Sequence, residues 1–156
     1  MQAELSRLEE QLRRAFEGEA WHGPSVLEAI EGVSAGQAAA HPIAGAHSIW
    51  ELVLHLCGTY GLVLRRLGGD GRQLTESEDW PSVPEASAEN WRDSIRVLKQ
   101  LNEELRLAVR SFPVEALDQP LVAEAAAYTA YTQFIGVTQH NLYHAGQMAL
   151  LRKLLG

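Results

Sequence analysis

Apolar side chains recur every three to four residues along four long segments of this chain, and no segment alternates convincingly as a half-buried strand would. Leu5, Leu8, Leu12 and Phe16 predict an amphipathic helix over about residues 2–17. Ser48-Ile-Trp-Glu51 reads as a capping box, with Glu51 at the third helical position, and opens a helix that runs to about Leu67 and stops at Gly68-Gly69. Ser87 caps a third helix over about 88–111, whose inner face carries Trp91, Ile95, Leu98, Leu105 and Ala108. The fourth starts between Thr129 and Gln133 and reaches about Leu154. Four such helices predict an all-α fold, a four-helix bundle forming one domain over residues 1–156.

The connections between these helices are long. Gly23-Pro24-Ser25 opens a short helical piece carrying Val26, Leu27 and Ile30, which Gly32 closes. Ser34 to Gly45 is small and turn-rich and is predicted as a loop. Residues 69–86 hold Gly, Pro, Ser and acids and are predicted as a surface loop, long enough to suggest function or mobility. Pro113 ends the third helix or begins a short turn to Leu117, and 121–128 admits helix, strand or loop. The second-to-third and third-to-fourth connections are each long enough to cross the bundle, so simple up-down order is not implied.

The net charge is −7, which argues against nucleic acid as a general partner, because phosphate binding needs a concentrated positive surface. Small anions need only one or two local cations and are not excluded. Cys57 is the single cysteine, so there is neither an intrachain disulfide framework nor a cysteine metal cluster. The charged, amphipathic start of the chain lacks the apolar core of a secretory signal, and no run reaches the roughly 18 apolar residues of a membrane span. These readings lead to the expectation of a cytoplasmic protein without a membrane partner.

The chemistry concentrates in His140-Asn-Leu-Tyr-His144 on the last helix. Imidazoles four residues apart share a helix face at about 6 Å and can chelate one ion. Gln133, Val137, His140, His144, Gln147 and Leu151 form that face, a mostly apolar stripe directed at the bundle. Burying two imidazoles without partners would cost on the order of a few kcal/mol, which a metal or fixed hydrogen bonds would offset. On the second long helix His55 lies in a narrow polar stripe with Ser48, Glu51, Thr59 and Arg66, which reads either as a solvated face or as the lining of a wet cleft. The pair on the last helix favours the cleft, because two imidazoles alone hold metal weakly. His55, His140 and His144 are therefore the candidate metal ligands.

Asn141 stands where a His-Glu-x-x-His peptidase carries its general base, and the paired carboxylates of a di-iron bundle are missing. An all-imidazole site for one divalent transition ion remains, with zinc, nickel or iron all compatible. Glu51, one turn before His55, is a candidate base or a partner of a ligand imidazole, with helix capping as the plainer alternative. Gln147, one turn after His144, is a candidate for bonding substrate, or else a buried polar residue paired with backbone. Tyr143 reads as core packing before it reads as an acid or a wall of the site, and Cys57 as a packed thiol on the other side of its helix. His22, His41 and His47 need no metal, the four tryptophans are core or rim aromatics, and Arg65 and Arg66 are solvated by default or reach an anionic substrate.

Two segments, His47-Ser-Ile-Trp-Glu-Leu-Val-Leu-His55-Leu and His140-Asn-Leu-Tyr-His144-Ala-Gly-Gln147-Met-Ala-Leu-Leu-Arg-Lys153, give the chain a resemblance to the DinB/YfiT-like superfamily of small helical bundles, with Gly23-Pro-Ser-Val-Leu-Glu-Ala29 a weaker match. The resemblance implies a four-helix bundle of unusual connectivity, often a homodimer, in which His55, His140 and His144 bind a divalent metal. It implies either a metal-dependent hydrolase or a thiol-dependent S-transferase or isomerase that uses a low-molecular-weight thiol. It does not imply the DNA polymerase that shares the DinB label. The expected function is thus a metal-dependent enzyme acting on a small-molecule substrate, with a non-catalytic metal- or ligand-binding stress-response bundle as the alternative.

Overall fold

The computed structural model describes residues 2–156, and the described residues are helical with no strand among them. Seven α-helices follow in order: α1 (Gln2–Glu17), α2 (Val26–Ile30), α3 (Ala35–Ala39), α4 (Ile49–Leu67), α5 (Glu76–Asp79), α6 (Ala88–Arg110) and α7 (Ala130–Leu155). The long ones are the four that periodicity predicts, because each has enough turns to bury a continuous stripe. The capping box at Ser48 is present: the Ser48 hydroxyl accepts from the Glu51 N–H while the Glu51 carboxylate accepts from the Ser48 N–H at 2.6 Å.

Two predicted loops contain helical turns. Ser34-x-x-Gln37 is a capping box that opens α3, and Thr75-x-x-Glu78 is one that opens α5. Both helices are too short to show an apolar period, so only their caps betray them. The ambiguous 121–128 segment holds a single 3-10 turn, Ala123–Ala125, and a second one, Val114–Ala116, follows Pro113.

The helix order explains the long connections. α1 packs on α6 and α7, and α4 packs on α6 and α7, so α1 and α4 stand on one diagonal of the bundle and α6 and α7 on the other. The chain must cross the bundle end between α1 and α4, where α2 and α3 fill the path, and again between α6 and α7. The α4–α6 connection joins neighbours instead. Its length serves to fold it back over α4, with α5 packed on that helix.

The core is continuous across all four long helices, with Leu12, Trp50, Leu56, Leu98, Leu105, Phe134 and Met148 fully enclosed. Two tryptophans are bonded as well as packed: the Trp50 indole N–H donates to Ser94 Oγ and the Trp91 indole N–H to the Val33 carbonyl. Trp21 departs from expectation. It is 96 % exposed, on the loop after α1, and belongs to neither core nor rim. No helix among the described residues is long and apolar enough to cross a membrane.

Candidate metal centre

The buried face of α7 runs through Phe134, Val137, Asn141, Ala145 and Met148, and the histidine stripe lies along its edge. Asn141, fully enclosed, accepts a hydrogen bond from the Tyr60 hydroxyl at 2.7 Å. Its place in the motif is therefore explained by the core rather than by chemistry. His140 and His144 sit one turn apart at the border between core and cleft.

His55 resolves its two readings in favour of the cleft. It is 8 % exposed, on the side of α4 that packs against α7. Its Nε2 lies 3.0 Å from His140 Nε2, which lies 3.0 Å from His144 Nε2, and the ligand atoms of all three fall within 4.8 Å of one another. Residues separated by 85 positions thus bring three ring nitrogens to one point.

The protons of two rings are held away from that point. The His55 Nδ1–H donates to the Asp79 carbonyl at 2.9 Å, with an Asp79 carboxylate oxygen at 3.0 Å. The His144 Nδ1–H donates to Gln147 Oε1 at 2.6 Å. With Nδ1 protonated, each neutral ring presents a bare lone pair at Nε2. Burial, followed by the neighbouring His144 and His55, pushes the His140 imidazole down to about 3, and burial likewise lowers His144. At neutral pH these two rings are uncharged, as ligands must be. Nε2–H of His140 can satisfy only one neighbour, so the cluster lacks a proton for three mutually facing nitrogens. A cation at the shared point satisfies all of them. Tetrahedral zinc, with Zn–N of about 2.0–2.1 Å, spaces its nitrogens by roughly 3.3 Å, close to what these rings present.

The α4–α6 connection supplies what sequence reasoning missed. α5 lies so close on α4 that a Cβ on Gly58 would meet the Glu78 carbonyl oxygen at 2.6 Å. That contact sets Asp79 against His55 and Trp80 beyond it. The Trp80 indole stacks on His55 at a 4.0 Å centroid distance and on His47 at 3.6 Å, a three-ring sandwich. Glu78 fastens the strap: it accepts from Arg72, from the Thr75 N–H and from Arg65 of α4. Arg72 and the Thr75 backbone hold the Glu78 carboxyl down to about 2. The signal available beforehand was the Thr75-x-x-Glu78 box in a loop already marked as long.

The remaining candidates are placed as follows. The Glu51 carboxylate is held by the Ser48 N–H and by His41 at 2.9 Å, and stands 3.7 Å from His47 rather than on His55. Gln147 bonds His144 directly. Tyr143 is a correction: it is 65 % exposed, edge-on to His144, and walls the cleft instead of packing in the core. Arg65 and Arg66 are also not simply solvated, since Arg65 pairs with Glu78 and Arg66 donates to Gln133 and Gln73. Cys57 is a packed thiol whose burial pushes it up to about 12, which removes it as a nucleophile at neutral pH. His22 is exposed beside Trp21.

A cleft of about 480 Å³ opens at His144 and Gln147, between the 43–47 loop, Trp80 and the last turns of α7. A larger groove of about 680 Å³ lies on the far side of the strap, along Cys57 and Gly61, away from the imidazoles. Comparison with known proteins finds a match to the family model of the DinB superfamily over residues 6–148, which includes all three histidines. No curated protein and no solved structure matches the chain.

Proposed function

We propose, on the premise that this chain belongs to the DinB superfamily, that it is a cytoplasmic metalloenzyme with a small-molecule substrate and that His55, His140 and His144 hold one divalent transition ion, zinc, nickel or iron. The observation that carries this reading is the meeting of three Nε2 atoms whose outer ring protons, on His55 and His144, are already committed elsewhere. When bound there, the ion supplies Lewis acidity, which lowers the pKa of a water or a thiol.

The protein's own groups do the rest. Asp79 and Gln147 keep the protons of His55 and His144 at Nδ1 and fix the ring planes. Trp80 covers one face of His55 and keeps water off it. Glu51 acts at one remove, as a positioning residue, through His41 and through His47 stacked on Trp80. Three protein ligands beside an open cleft favour chemistry over a closed structural ion.

Metal analysis of protein purified without chelators tests the reading: about one ion per chain is expected, and little in His144→Ala. Equal and negligible metal in both would end it. Incubation with a low-molecular-weight thiol and an electrophile separates transfer from hydrolysis, because only transfer yields conjugate faster than the His55→Ala control. A homodimer, which the family resemblance implies, belongs to the same proposal. Light scattering at micromolar concentration would then report twice the 17.2 kDa chain mass.

A further inference from the structure

The wall of the cleft beside the imidazoles carries no lysine, arginine, aspartate or glutamate. Ile43, Leu52, Trp80, Tyr143 and Leu150 form most of it, and Ile43, Tyr143 and Leu150 stay exposed at its mouth. The cations that sequence reasoning held ready for an anionic substrate are engaged elsewhere: Arg65 with Glu78, Arg66 with Gln133 and Gln73. Arg152 on the last turns of α7 donates to the Glu28 carbonyl, and Lys153 lines a separate groove with it. His47, which also lines the cleft, faces the Glu51 carboxylate at 3.7 Å. In the metal-free protein a carboxylate drawn into this cleft would leave water with no cation in the wall to offset its charge, whereas an uncharged apolar molecule would exchange water for aromatic and aliphatic contacts. One polar handle is available. Gln147 spends its oxygen on His144, which leaves its amide N–H groups to donate.

We propose that this cleft binds an uncharged, largely apolar or aromatic small molecule that offers one hydrogen-bond acceptor to the Gln147 amide. The inference rests on the metal-site reading only in taking the imidazole end of the cleft as the reactive end. Its volume of about 480 Å³ is ordinary for a drug-sized ligand.

Naphthalene-2-carboxamide and naphthalene-2-carboxylate have nearly the same shape and differ in charge. Their affinities for metal-free protein near neutral pH, measured by calorimetry, test the inference without direct carboxylate–metal binding. The carboxamide is expected to bind about tenfold tighter or more. Ala46→Trp, which fills the cleft, should abolish its binding, and the exposed-site variant Leu150→Lys should raise carboxylate affinity and narrow the ratio. Equal or tighter carboxylate binding to the unaltered protein, no carboxamide binding, or carboxamide binding that survives Ala46→Trp would each overturn the inference. None of these results touches the metal analysis. Conversely, metal-free preparations throughout with the carboxamide preference intact would remove the metalloenzyme reading and leave this one standing.

Discussion

Gly58 is the residue on which the geometry of the site turns, although it bears no functional group. A methyl there would press on the Glu78 carbonyl, and backbone cannot yield as a side-chain tip can. Gly58→Ala should therefore lift α5, loosen Asp79 and Trp80 from His55 and weaken metal binding by about 10- to 100-fold, the range seen when partners of ligand imidazoles are lost. The helix itself should not suffer, since alanine is the better helix former by about 1 kcal/mol. Chelator competition gives the affinity and circular dichroism the fold. Unchanged affinity in a folded variant would show that the strap does not position His55.

At the scale of elements, α1 and α6 are joined by a buried carboxylate. Glu9 accepts from Arg106 on one oxygen at 2.7 Å and pairs with Arg110 on the other at 2.8 Å. Burial alone would raise the Glu9 carboxyl, but the Arg110 and Arg106 guanidiniums outweigh it and hold it below the usual value. A carboxyl depressed in the folded state stabilises above its unfolded pKa and loses that contribution as pH falls through the folded value. Glu9→Gln should cost about 1–2 kcal/mol at neutral pH. The gap to the unaltered protein should close as the pH drops below about 4.5, the ordinary value of a glutamate carboxyl. Urea melts at neutral pH and at successive acid steps measure it, and a gap that is constant with pH would refute the assignment.

At the scale of the whole molecule, the three imidazoles couple α4 to α7 across the cleft, and the strap couples both to the α4–α6 connection. An ion bound by the folded state alone stabilises it by mass action, about 2.7 kcal/mol at one hundred times the dissociation constant. For a chain of this size that corresponds to a rise in melting temperature of roughly 5–10 °C, reversed by a chelator. His55→Ala should melt at one temperature with or without zinc. A shift that persists in that variant would place the ion elsewhere.

The helices and the pairing of His140 with His144 were legible because both are local. A stripe of Leu5, Leu8, Leu12 and Phe16 carries its period wherever the helix packs, and residues four apart share a face in any helix. The family resemblance lay in the same two segments. The side of α4 that met α7 was not legible, because its polar stripe served a solvated face and a cleft equally well. Nor was the strap: Asp79 and Trp80 reach His55 through a short capped turn with no periodicity, seated on a glycine 20 residues upstream of its carbonyl contact at Glu78. Tyr143 went to the cleft rather than the core because the buried face of α7 is centred on Asn141, rotated by roughly 80° around the helix axis from the face the histidine stripe implied. Secondary structure and ligand identity follow from contacts within a turn or two of chain. The bundle's diagonal order, the convergence of the rings and the apolar cleft depend on packing between distant segments, and only the folded chain decides them.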